Sequence, residues 1–168
     1  DTIGIPAQSV IIYRYYETGS SLLGDGKARD ISAYAQGLND LILRIRTLVG
    51  QHEGASFDAA AFRCYLVAHS MGGLVVRAFL QNPKLGDEVA RRCVDKVFTY
   101  ATPHNGIDVG GVNVPSWLTL NEMNTFNRDE MAKYLAMETI AERKGRVDFM
   151  PESAFPLERF FCMVGTNR

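Results

Sequence analysis

Apolar and polar positions follow one another along the chain in an order that predicts strands separated by helices. Apolar residues repeat every three or four positions through long stretches, which indicates amphipathic helices. Between those stretches lie short runs rich in β-branched and aromatic residues, which are typical of strands. The four predicted strands cover residues 10–16, 62–68, 94–101 and 159–164. Strands that alternate with helices favour a parallel sheet with right-handed crossovers.

The longest helical pattern begins at Asp30, a residue type that caps helix N-termini, and continues to about Val49. Residues 50–56 interrupt the pattern and predict a loop. The apolar stripe of this helix consists of Ile31, Tyr34, Leu38, Leu41, Ile42, Ile45 and Leu48. Further helices are predicted over residues 72–81, 85–92 and 130–144, and a glycine-rich loop over residues 106–116.

Ser70 lies two positions after the end of the second predicted strand. The strand is apolar apart from Arg63, so we expect a central parallel strand that is covered on both faces. The small residues Ala68, Gly72 and Gly73 surround the serine, and a chain that turns sharply from strand to helix needs such residues to avoid collisions. That corner exposes the hydroxyl at the C-terminal edge of the sheet, where sites in open α/β sheets form. The plainer interpretation is that Ser70 only caps the helix.

Met71 is the first residue after this corner. Its backbone N–H is predicted to point at the oxygen that becomes negative when the serine attacks an acyl carbonyl, and the helix N-terminus adds positive potential there. A hydroxyl nucleophile beside an oxyanion donor indicates acyl chemistry.

Two motifs resemble those of α/β-hydrolase fold serine lipases and esterases. The heptapeptide HSMGGLV at residues 69–75 is similar to their nucleophile elbow, with Ala68 where most members have glycine. The hexapeptide ATPHNG at residues 101–106 is similar to the Thr-Pro-His-x-Gly of triacylglycerol lipases and of GPI-inositol deacylase-like proteins. The resemblance implies an α/β fold, a three-layer sandwich with a doubly wound and mostly parallel sheet, which this chain contains incompletely.

In these enzymes the chain order is nucleophile, acid, histidine. The resemblance makes Ser70 the nucleophile and Met71 the backbone oxyanion donor. We expect the acid and the histidine beyond Arg168, and the second oxyanion donor before Asp1. Residues 1–168 are therefore expected to form a single core segment, whose flanking strands and triad loops belong to remaining parts of the same hydrolase.

The histidines in the chain are expected to have other roles. His69 is adjacent to the serine on a sharp turn, so its ring should point away from the hydroxyl. His104 resembles a pocket-shaping residue of lipases. His69 and His104 are both candidate substrate-binding residues, whereas His52 is expected to be solvated. A rearranged triad, with its acid inside this chain, stays open as an alternative. The carboxylates considered for it are Asp95, Asp108 and Asp148. The simpler interpretation of each is a loop or helix-cap residue.

Residues 106–150 are the expected substrate-facing insertion. Lipases often carry a mobile lid in this region, and the apolar Trp117 and Leu118 are candidates to cover the acyl pocket. The alternative is that these two side chains pack on the core.

Composition narrows the classes of partner and cofactor. A net charge of −1 implies no general attraction to nucleic acid or to anionic lipid. No apolar run is as long as a membrane span. The histidines and cysteines lack metal-ligand spacing, and no phosphate-binding glycine loop occurs, so we expect neither metal nor cofactor. The three cysteines are expected to be small buried hydrophobic residues. Their lack of a disulfide framework favours a reducing cytoplasm, although secretion stays open.

Three functions remain in competition. The first is a serine hydrolase that cleaves carboxylic esters, with lipid or acyl-ester substrates and transient contact with a membrane surface. The second is an acyltransferase that uses the same nucleophile. The third is a non-catalytic hydrolase-like module that binds lipid or protein.

Overall fold

The computed structural model describes residues 9–14, 30–109, 112–113, 125–140 and 143–165. The candidate lid residues Trp117 and Leu118 lie outside this part of the chain. The helices are α1 (Ile31–Glu53), α2 (Met71–Gln81), α3 (Glu88–Arg92) and α4 (Arg128–Tyr134), with 3-10 turns at Gly54–Ser56 and Leu157–Arg159. The strands are β1 (Cys64–His69), β2 (Val94–Tyr100), β3 (Asp108–Val109), β4 (Val112–Asn113) and β5 (Phe160–Met163).

A parallel sheet of three strands, in the order β1-β2-β5, organises the described part of the chain. Ala68 of β1 lies opposite Thr99 of β2, which in turn lies opposite Cys162 of β5. Since all three strands run in the same direction, their C-terminal ends meet at one edge of the sheet. The α/β class and the parallel sheet predicted from the sequence are confirmed.

Helices α1 and α2 cover one face of this sheet. Leu74 and Ala78 of α2 are fully buried, as is Val97 of β2, and all three belong to one apolar cluster with Leu38 and Ile42 of α1. Burying each large aliphatic side chain contributes roughly 1.5–3 kcal/mol. Four positions of the predicted α1 stripe are buried, Leu41 and Ile45 are half-buried, and Leu48 is 53% exposed near the end of the helix.

The opposite face of the sheet is uncovered within the described residues. Its side chains are 37–81% exposed, namely Tyr65, Val67, Phe98, Tyr100, Phe161 and Met163. The expectation that β1 is covered on both faces is thus wrong for this part of the chain, because its described helices pack on the other side. An apolar strand is compatible with burial on both faces, but its sequence does not specify which elements cover the second face.

The first predicted strand is not formed in its described part. Residues 10–14 have no strand structure, and Val10, Ile11 and Ile12 are more than half exposed. Tyr13 alone reaches the core, where its hydroxyl donates to the carbonyl of Tyr34 at 3.0 Å. High β-propensity alone did not produce a strand at residues 10–14, because a strand also needs a neighbouring strand to hydrogen-bond its backbone groups.

Two helix ends also differ from prediction. α1 continues through Gly50, which lies against the ring of Phe57, and ends at Glu53. The next residue, Gly54, has a φ of 58° and caps the helix. α4 begins at Arg128 and stops at Tyr134, ten residues before the predicted end at 144. Ala136 has a φ of 54°, and the next residue, Met137, donates its N–H to Ala132 at 2.8 Å. This hydrogen bond closes a Schellman motif, whose left-handed position is here occupied by alanine instead of glycine.

The remaining elements lie near their predicted positions. α3 begins at Glu88 instead of 85, because the Asp87 carboxylate accepts from the N–H of Val89 at 2.7 Å and caps the helix. The predicted loop over 106–116 contains the short antiparallel pair β3 and β4. No helix in the described ranges is long and apolar enough to cross a membrane.

Candidate active site

Ser70 forms a sharp corner between β1 and α2. Its backbone has φ of 52° and ψ of −129°, a conformation that residues with a side chain adopt only under strain of about 1–3 kcal/mol. The N–H of Ser70 donates to the carbonyl of Tyr100 at 2.9 Å. The carbonyl of Ser70 accepts from the N–H of Gly73 at 3.1 Å and from the Thr102 hydroxyl at 2.9 Å. These three hydrogen bonds hold the corner in place.

The Ser70 hydroxyl does not act as a helix cap. The residue occupies the N-cap position of α2, but its side chain makes no capping hydrogen bond. A capping serine has an extended backbone, which lets its hydroxyl reach the free N–H groups of the first turn. The positive φ of Ser70 is a different backbone conformation. The side chain is half-buried at the C-terminal edge of the sheet.

The backbone N–H of Met71 is free within the described residues, where it donates to no acceptor. It is the first N–H of α2, a helix of 11 residues, and such N–H groups carry the positive end of the helix dipole. The half-buried hydroxyl of Ser70 is thus followed, one residue along the chain, by the free backbone N–H of Met71.

Thr102 packs closely on the first turn of α2. A Cβ atom added to Gly73 would lie 2.1 Å from the Thr102 hydroxyl oxygen and 2.6 Å from its methyl carbon. Only glycine leaves room for this contact. The sequence did not assign a role to Thr102, although the Thr-Pro-His motif contains it, because the hydrogen bond joins residues that are 32 positions apart.

His69 and His104 lie on opposite faces of the sheet. His69 is exposed on the uncovered face and stacks on Tyr100, with ring centroids 5.6 Å apart. His104 is on the covered face, where its Nε2 lies 3.0 Å from the Thr99 hydroxyl and 3.5 Å from the Cys162 sulfur. Burial lowers the pKa of His104 to about 4, with a further contribution from the nearby cation of Arg77. The ring is therefore neutral at pH 7.

No histidine is hydrogen-bonded to Ser70 in the described part of the chain, which includes all three histidines. His52 is exposed in the last turn of α1. The carboxylates weighed as a triad acid face arginines. The shortest contacts are 2.7 Å for Asp108–Arg128, 2.7 Å for Asp148–Arg146 and 3.3 Å for Asp95–Arg159. Hydrogen bonds from Arg146 lower the pKa of Asp148, which keeps this group ionised.

Arg77 is a buried cation in the middle of α2, with 2% of its surface exposed. Its guanidinium donates to the carbonyls of His104 at 3.0 Å and Phe149 at 2.7 Å, and to the side-chain oxygen of Gln81 at 2.8 Å. Burial lowers the pKa of Arg77 to about 10, so the group stays charged at pH 7. Sequence reasoning missed this residue, and the available signal was a single arginine inside an otherwise apolar helical run.

The cysteines are unpaired, and only some of them are the small buried residues that the sequence predicts. Cys93 is buried and Cys64 is half-buried, and burial raises the pKa of the Cys64 thiol to about 11. Cys162 is exposed, contrary to expectation, because it lies on β5 at the edge of the described sheet. Among the described residues, no group of three or more histidine, cysteine or carboxylate side chains could hold a metal ion.

A surface cleft lies far from the serine corner along α2. Its lining includes Asn39 of α1 and the loop residues Lys84 and Asp87, which follow the C-terminal end of α2. Since Ser70 is at the N-terminal end of the same helix, this cleft and the corner are separate features.

The parallel sheet and the strand–serine–helix corner define an α/β domain of the hydrolase type. Among protein families, the model of the PGAP1-like alpha/beta domain matches residues 26–158, and the chain belongs to this hydrolase-related family. The matched range includes both the serine corner and the loop with Thr102 and His104. Neither the comparison with curated proteins nor that with solved structures finds a match.

Proposed function

We propose that this protein is a serine hydrolase that cleaves carboxylic esters through an acyl-enzyme at Ser70. One observation carries the proposal: a strained backbone corner holds a hydroxyl that caps no helix, next to the free N–H of Met71. Strain of this kind persists only where the surrounding contacts enforce it, and it is concentrated at functional sites. The substrate class, a lipid or another acyl ester, rests on the resemblance to lipases, and transient contact with a membrane surface belongs to the same proposal.

The proposed reaction has two steps. The Ser70 oxygen attacks the carbonyl carbon of the ester while a base takes the hydroxyl proton, and the carbonyl oxygen becomes an oxyanion beside the Met71 N–H. The C–O bond to the alcohol then breaks, and the alcohol leaves with that proton. Water repeats the attack on the acyl-enzyme and releases the carboxylic acid and free Ser70. An oxyanion donor of this type typically lowers the activation barrier by about 3 kcal/mol.

The base and the acid are proposed to come from remaining parts of the same hydrolase. His104 is held by Thr99 and Cys162 on the covered face, and His69 stacks on Tyr100 on the other face. The aspartates weighed for a triad are paired with arginines. The uncovered sheet face supports the same proposal, because further polypeptide that completes the site would also bury its apolar side chains.

A fluorophosphonate probe tests the proposal, because it forms a covalent bond with an activated serine. The protein in its natural full length is expected to react, and Ser70→Ala is expected to be unreactive. Alanine suits this test because Ala101 already occupies a φ of 51° in this chain. Ser56→Ala is a matched control, since this exposed serine is in the 3-10 turn after α1, and the variant should react like the natural protein.

A non-catalytic binding module is the second candidate, because no histidine side chain is hydrogen-bonded to Ser70 in the described residues. A folded full-length protein that fails to react with the probe would favour it and contradict the hydrolase. An acyltransferase would react with the probe as a hydrolase does. Release of free acid from an ester in water, measured against transfer to an added alcohol, separates these two enzymes.

A further inference from the structure

The Thr102 hydroxyl contacts the peptide unit that contains the proposed oxyanion donor. The hydroxyl donates a hydrogen bond to the carbonyl oxygen of Ser70, with the two oxygens 2.9 Å apart. That carbonyl and the N–H of Met71 belong to the same peptide bond, and no described peptide bond is cis. A trans peptide is planar, so its C=O and its N–H point in opposite directions. A group that fixes the direction of the Ser70 carbonyl therefore also fixes the direction of the Met71 N–H.

The surroundings of Thr102 leave its side chain little freedom. Thr102 is 6% exposed, and its hydroxyl and methyl groups both lie against the backbone of Gly73. The fold disfavours a buried hydroxyl without an acceptor and a carbonyl without a donor, so this hydrogen bond is expected to persist. The hydrogen bond also polarises the peptide, which strengthens the N–H at its other end as a donor.

We propose that Thr102 is a positioning residue, which aims the Met71 N–H at the oxyanion through the shared peptide plane. This inference rests on the proposed function, because an oxyanion donor matters only if acyl chemistry takes place at Ser70. Thr102 does not touch the substrate in this account. It acts on the transition state alone, so its loss should lower kcat and leave KM unchanged.

Two variants separate the hydroxyl from the shape of the side chain. Thr102→Val keeps the branched shape and removes the donor, whereas Thr102→Ser keeps the donor and removes a methyl group. The experiment measures the rate constant and the final extent of fluorophosphonate labelling for the full-length protein and both variants. A positioning role predicts a rate constant roughly tenfold lower in Thr102→Val, with full extent, and a rate constant within about twofold of the natural value in Thr102→Ser.

A second readout follows the donor itself. Selective ¹⁵N labelling of methionine places a signal on Met71, which Met71→Leu assigns. Reaction with the probe should move this amide proton downfield as the N–H donates to the phosphonyl oxygen, and the shift should be smaller in Thr102→Val.

Each outcome decides something. An unreactive natural protein overturns the proposed function and this inference with it. A reactive natural protein with an equal rate constant in Thr102→Val overturns this inference alone. A lower extent of labelling with an unchanged rate constant also overturns it, because that result means that the valine only reduces the folded fraction.

Discussion

The guanidinium of Arg77 donates a hydrogen bond to the backbone carbonyl of His104, with the two atoms 3.0 Å apart. This contact joins the middle of α2 to the loop that follows β2. The same loop contains Thr102, which is bonded to the carbonyl of Ser70 at the start of α2. Helix α2 and the Thr-Pro-His loop are thus connected at two points, one at the corner and one almost two turns of helix further along.

Replacement of Arg77 should destabilise the fold. Arg77→Met keeps the length of the side chain but leaves the carbonyls of His104 and Phe149 without their donor, at a cost of about 2–4 kcal/mol in the free energy of unfolding. Urea denaturation measures the change. Arg44→Met is the matched control, since Arg44 is exposed on α1 and its replacement should change stability by no more than about 0.5 kcal/mol. Equal stability of the two variants would show that the buried cation contributes nothing net.

Gly73→Ala should also destabilise, although alanine favours helices. The higher helix propensity stabilises by about 1 kcal/mol. The added Cβ would lie 2.1 Å from the Thr102 hydroxyl oxygen, and overpacking of this kind costs about 1–3 kcal/mol. The steric cost is therefore expected to exceed the gain in helix propensity, and the new methyl group is expected to displace Thr102.

The midpoint of thermal unfolding and the labelling rate should therefore both fall in Gly73→Ala. Gly165→Ala is the control, because nothing lies within 4 Å of the position of its added Cβ. A Gly73→Ala protein that is as stable and as reactive as the natural one would mean that the two chain segments are not held as closely as the structure has them.

The pH dependence of stability should report His104. Its pKa is lowered from 6.5 to about 4 in the folded state, so the unfolded chain binds more protons between these values. Stability from the neutral ring is fully present above about pH 6.5 and is lost as the pH falls toward 4, with a slope of at most about 1.4 kcal/mol per pH unit. His104→Gln should reduce the slope in this window and leave it unchanged above pH 7. Identical slopes below pH 6.5 would mean that His104 is not buried as a neutral ring.

Much of the fold follows from local rules that the sequence exposes. The spacing of apolar residues in α1 and the apolar runs of β1 and β2 predict these elements, because periodicity records which side of an element faces a core. The corner at Ser70 was also predictable, since the small residues on both sides are what a sharp strand-to-helix turn requires. The end of α4 was not predictable. The left-handed position after a helix is usually occupied by glycine, which marks the helix end in the sequence, but here it is occupied by Ala136.

By itself, the sequence determined the α/β alternation and the place of the candidate nucleophile, because both depend on neighbours in the chain. Only the tertiary structure decided that His69 and His104 lie on opposite faces, that Arg77 is buried among carbonyls and that Thr102 bonds to Ser70. The physical reason is that the register between parallel strands, and the packing of a helix on them, set these contacts between residues far apart in the chain. No local pattern of polar and apolar positions specifies such distances.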